Sequence, residues 1–92
     1  MPKFTTRVEL HSATDTDYER LHAAMEGEGF TRTISSESGT YRLPTAEYNR
    51  DGQIDTDEVL ESAKRAAGRT GKKFAVLVTE SNGRTWVGLE IA

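Results

Sequence analysis

Phe4-Thr5-Thr6-Arg7-Val8-Glu9-Leu10-His11 alternates apolar and polar side chains, and that alternation decides the fold. Phe4, Val8 and Leu10 fall on one side, with Thr5, Arg7, Glu9 and His11 on the other, the two-residue period of a half-buried strand. Directly after it, Ser12 to Asp17 supply helix-start chemistry. Thr14 accepts from the amide three residues on, while Asp15 and Asp17 place negative charge at the positive end of the helix dipole. The predicted helix runs to about Gly27, with Tyr18, Leu21, His22 and Met25 spaced as one buried stripe. Gly27 and Gly29 can end it, because glycine accepts a left-handed cap at little cost.

Working outward, Phe30 to Ser36 and Gly39 to Leu43 read as two strands around the polar turn Glu37-Ser38-Gly39. Pro44 stops the second, since proline cannot donate to a ladder. Thr45 to Gly52 reads as a loop. A second helix starts at Asp55 as N-cap with Glu58 three residues later, a capping-box variant. Val59, Ala63, Ala66 and Ala67 form its apolar stripe with Leu60 beside it, and Gly71 closes it before Lys72-Lys73. Last, Phe74 to Glu80 and Arg84 to Ile91 flank Asn82-Gly83, a two-residue hairpin signal. The expected order is β-α-β-β-α-β-β. That succession specifies an α+β, ferredoxin-like split βαβ sandwich, with two helices on one face of an antiparallel sheet and an extra C-terminal hairpin strand.

Ninety-two residues make one domain, residues 1–92, which excludes a second catalytic module. Hydrophobic residues are 35% and charged residues 29% of the chain, a globular composition rather than a disordered one. No apolar run approaches the ~20 residues of a membrane span, and no signal-peptide core follows Met1, so the expected setting is the cytoplasm. Cysteine is absent, so there is no disulfide or thiolate ligand. The net charge of −3 opposes tight non-specific nucleic-acid binding, which depends on neutralising many phosphates. The distribution is uneven: thirteen acids against six bases up to Glu61, then six bases against two acids.

The helix-free face of the sheet is where chemistry is expected. The first strand offers Arg7, Glu9 and His11, the third offers Arg42, and the last offers Trp86 if Val87, Leu89 and Ile91 point inward. Two arginines to hold phosphates, an indole to stack a base, and His11 or Glu9 to move a proton would suit single-stranded RNA. Ala75 and Leu77 on the same side suit instead a second copy of the chain, a homodimeric binding module without chemistry. His22, on the apolar stripe, reads as a packed residue. No cofactor is expected, and no Ser/His/Asp set, glycine-rich phosphate loop or HExxH pattern is present. The rival is calcium: the twelve residues 47–58 place oxygen ligands at Glu47, Asn49, Asp51, Gln53, Asp55 and Glu58 with Gly52 at the sixth position, the spacing of an EF-hand loop. Against it, position 1 is Glu rather than the shorter Asp, and Pro44 forbids an entering helix.

Leu43-Pro44-Thr45-Ala46-Glu47-Tyr48, Val76 to Trp86, Phe4 to His11 and Gly29 to Ile34 together resemble a family of short bacterial proteins grouped with the GhoS endoribonuclease antitoxins of type V toxin–antitoxin systems. The resemblance implies a ferredoxin-like fold akin to small CRISPR-associated nucleases, cleavage of a toxin messenger RNA, and a toxin partner that the residues do not identify. Those nucleases carry an acid near the end of the first strand. Glu9 is the nearest match, with His11 where the pattern has Asp.

Overall fold

A computed structural model describes residues 1–92. The elements are β1 (Lys3–Leu10), α1 (Asp15–Gly27), β2 (Thr33–Ser36), β3 (Gly39–Arg42), β4 (Glu47–Asp51), α2 (Thr56–Gly68) and β5 (Phe74–Glu80). The fold is the expected α+β sandwich of ferredoxin-like type, with β1 central between β4 and β5 and antiparallel to both. β2 and β3 form a hairpin with Ser36 opposite Gly39. It joins the edge of β4 where Thr31 and Asn49 exchange both backbone hydrogen bonds at 2.8 Å. The helices cover one side. Phe4, Thr6, Val8 and Leu10 of β1 are buried under them, whereas Arg7 and Glu9 are exposed.

Both helix starts follow from the capping residues. Thr14 Oγ1 accepts from the Asp17 amide at 3.3 Å, and the Asp17 carboxylate accepts from the Thr14 amide at 2.9 Å, which closes a capping box and satisfies two otherwise orphaned donors. Those hydrogen bonds from Thr14 hold the Asp17 carboxyl below the usual range. Asp55 accepts from the Glu58 amide at 2.9 Å. The core gathers Phe4, Val8, Leu10, Leu21, Met25, Phe30, Tyr48, Val59 and three alanines of α2. The alanines matter because small side chains let α2 lie close to the sheet, while burial of each larger one contributes about 1.5–3 kcal/mol.

The element order departs from the expected one in two places, and both move the functional face. Glu47–Asp51 is a strand rather than a loop, and it fills the slot beside β1. Only one of its side chains, Tyr48, is a buried apolar group, so no alternation of hydrophobicity announces it. The second departure is that Arg84 to Ile91 is not a strand against β5. Gly83 does not take a positive φ, so the tight turn expected at Asn82-Gly83 does not form. The segment instead crosses the helix-free face as a strap and meets β3, where the Arg42 amide donates to the Glu90 carbonyl at 2.8 Å and the Ala92 amide donates to the Thr40 carbonyl at 3.0 Å. The expected inward placement of Val87 and Ile91 is therefore corrected: they are 94% and 78% exposed, whereas Trp86 and Leu89 are partly buried.

The basic C-terminal third is largely neutralised by the fold. Glu28, at the end of α1, binds Arg65 at 3.0 Å and Arg69 at 3.3 Å, pinning the two helices together. The Arg65 hydrogen bond holds the Glu28 carboxyl below its usual range. Lys64 meets Glu61 at 3.2 Å, and Lys72 meets Asp17 at 3.7 Å. No helix is long and apolar enough to cross a membrane.

Candidate functional site

The strap builds a depression on the helix-free face. Arg84 Nη1 donates to Asn49 Oδ1 of β4 at 2.6 Å and to Thr5 Oγ1 of β1 at 3.3 Å. Two residues on, the Trp86 indole packs on Tyr41 of β3 with ring centroids 5.6 Å apart. These contacts hold the strap over the sheet and leave a cleft with two lobes. One, of about 360 Å³, is lined by Lys3, Ser35, Ser36, Ser81, Asn82 and Arg84 among others. The other, of about 470 Å³, includes Thr5, Leu43, Glu47 and Leu89. Ile34, Gly83, Arg84 and Trp86 belong to both.

The residues singled out in the sequence are partly brought together. Glu9 and His11 approach at 3.7 Å between Oε1 and Nε2, both exposed at the far end of β1. Arg7 lies between them and the cleft on the same face, opposite Glu47 on β4 and Leu77 on β5. Trp86 reaches the face from the strap rather than from a strand. Arg42 lines neither lobe: it borders an adjoining depression that shares Leu43, Pro44 and Leu89 with the second lobe but contains neither Arg84 nor Trp86. At about 3.3 Å per strand residue, Thr5 and His11 are about 20 Å apart, so the cleft and the Glu9–His11 contact are distinct places.

The sequence does not point to Arg84 or Lys3 as site residues, and it offers Asn49 only as a calcium ligand. Lys3 precedes the apolar alternation, Asn49 falls in a stretch that reads as a loop, and Arg84 falls at the start of a stretch that reads as a strand. On the strand β4, Glu47, Asn49 and Asp51 alternate with Tyr48 and Arg50.

That alternation also answers the calcium expectation. Glu47, Asn49 and Asp51 project from one side of an extended strand, with the first and last about 13 Å apart. Ligands of one calcium ion lie within about 5 Å of each other, since each sits at about 2.3–2.6 Å from the metal. Asp55 is already committed to capping α2. The wrapped loop that the spacing suggested is not formed, because residues 47–51 pair with β1.

His22 and Tyr48 form a second polar contact, on the helix side. His22 Nδ1 lies 2.6 Å from Tyr48 Oη, with Phe30 packed edge-on to Tyr48 at 6.4 Å. Burial, aided by the charge of Arg32, pushes the His22 pKa below its usual value, and burial pushes the Tyr48 phenol up. No protein-family model, curated protein or solved structure matches the chain.

Proposed function

We propose that this chain binds single-stranded RNA across the helix-free face of its sheet. The observation that carries this reading is the joint presentation of Trp86 and Arg84 by the strap, over a cleft that also holds Lys3 and the hydroxyls of Ser35, Ser36 and Ser81. An indole offers a stacking plane to any base, a guanidinium and an ammonium pair with phosphate, and serine hydroxyls suit ribose. Arg7, about 13 Å along β1 from Lys3, provides the next cation for an extended backbone. The resemblance to cytoplasmic endoribonuclease antitoxins supports the same ligand class.

Charge sets the strength of this binding. Lys3, Arg7 and Arg84 share the face with Glu9, Glu47 and Asp51, so the electrostatic contribution is small and stacking must supply the rest. Duplex RNA, whose bases are not free to stack, is a poor fit for the cleft. Any cleavage of the antitoxin type falls to Glu9 and His11, the one carboxylate–imidazole contact on this face.

Fluorescence anisotropy with labelled single-stranded RNA at low salt tests the reading. Binding that prefers single strands over duplex and weakens about tenfold in Trp86→Ala supports it. No binding by the wild-type protein at low salt overturns it. Gel analysis of the same incubations reports cleavage separately, through its loss in His11→Ala.

A further inference from the structure

β5 is an edge strand whose outer side pairs with nothing in the chain. The ladder phase says which groups are bare. His11 donates to the Lys73 carbonyl and Ser81 donates to the Lys3 carbonyl, both at 2.8 Å. The register between β1 and β5 therefore turns the odd-numbered residues of β5 toward β1. Phe74, Val76, Val78 and Glu80 point their N–H and C=O groups outward. Natural edges are usually blunted by proline, a bulge or charges along the strand. Phe74-Ala75-Val76-Leu77-Val78-Thr79-Glu80 has no proline and no charge before its last residue. The strap could have covered this edge but crosses to β3 instead.

We infer that β5 pairs antiparallel with β5 of a second copy, about a two-fold axis at Val76, making a homodimer with one continuous sheet. Three observations select a second copy as occupant. An antiparallel pair brings opposite strand ends together, and the ends here differ in sign, Lys72-Lys73 before the strand and Glu80 at its close. The outward-facing residues are the even-numbered ones, so an axis at Val76 matches bare groups with bare groups along the strand, Val76 with Val76 and Phe74 with Val78, and brings Glu80 beside the Lys72 side chain, which meets Asp17 of its own chain at 3.7 Å. On the helix-free face the same register sets Leu77, 64% exposed, against Ala75 of the other copy. The axis stands perpendicular to the sheet, so the helices of both copies lie on one side and both clefts on the other. This pairing goes beyond RNA binding and is tested without RNA.

Sedimentation equilibrium from about 5 µM to about 500 µM should show a reversible monomer–dimer equilibrium with a micromolar dissociation constant, as a narrow contact gives. Val76→Pro removes an N–H that the monomer leaves unbonded, at an edge position where proline is tolerated, so it should give a folded monomer by circular dichroism. Glu80→Lys sets like charges near Lys72 twice per dimer and should weaken association about tenfold. This charge reversal decides the matter if Val76→Pro does not fold. A protein that stays monomeric across the whole range, or a dimer whose dissociation constant is unmoved by Glu80→Lys, overturns the inference.

Discussion

His22 Nδ1 lies 2.6 Å from Tyr48 Oη, joining α1 to the strand beside β1 through two side chains that the core half or wholly encloses. In the neutral tautomer that carries its hydrogen on Nε2, Nδ1 accepts and the phenol donates. Protonation turns Nδ1 into a donor and strands the phenol hydrogen, which has no other acceptor.

Stability is therefore expected to depend on pH through His22. Its folded pKa is depressed by burial and by Arg32, so the folded state binds fewer protons than the unfolded one and unfolding free energy rises with pH. The contribution is complete above the unfolded value of about 6.5 and is lost as pH falls below it toward the folded pKa. Thermal unfolding between pH 8 and pH 5 should show Tm falling through this window, and His22→Leu should flatten the dependence. An unchanged slope in that variant refutes the assignment. A second decline below the ordinary carboxylate range is expected from Asp17 and Glu28, whose folded pKa values are also lowered.

Thr6 carries the one buried side-chain oxygen without a hydrogen-bond partner. It sits at the middle of β1, facing α2, where a hydroxyl desolvated without compensation costs about 1–3 kcal/mol. Thr6→Val keeps the β-branched shape and removes that cost. Urea unfolding should show the variant more stable by about 1 kcal/mol, with an unchanged m-value because the surface exposed on unfolding is the same. A destabilised variant would show that the hydroxyl is satisfied in solution.

Much of this fold could be read from periodicity. Phe4, Val8 and Leu10 alternate over enough residues to fix β1, and Thr14 and Asp55 act as the caps that their side chains predict. β4 escaped because Tyr48 alone carries its burial; its place is set by register with β1, a long-range pairing that no local pattern encodes. The strap escaped for a related reason. Asn82-Gly83 prefers a tight turn locally, but Arg84 on Asn49 and Thr5, together with Trp86 on Tyr41, reward a different path. The site residues inherit these differences. Arg7, Glu9 and His11 lie on the face that the alternation assigned them, and Arg42 is exposed on its expected strand β3, whereas Trp86 lies on the strap rather than on a strand.

Calcium gives a simple check on β4. Glu47, Asn49 and Asp51 are spread along a strand, and binding that stabilised the fold would raise Tm by mass action. Addition of about 10 mM Ca²⁺, well above the weakest EF-hand affinities, is expected to leave Tm unchanged. A rise at that concentration would mean that residues 47–58 leave the sheet to wrap the ion.

The cleft predicts a difference between arginines that the sequence treats alike. Arg84 lines both lobes beside Trp86, whereas Arg42 lines neither and borders an adjoining depression at the end of the strap. If RNA occupies the cleft, Arg84→Ala removes one phosphate contact and should make the slope of log K against log salt shallower by about 0.7, the value for a single-stranded ligand. Arg42→Ala should leave both affinity and slope as they are. Arg84 also braces the strap through Asn49 and Thr5, so Asn49→Ala serves as the control: it loosens the brace but keeps the charge, and it should lower affinity without altering the salt slope. Equal slopes for Arg84→Ala and wild type would place the phosphates elsewhere on the face.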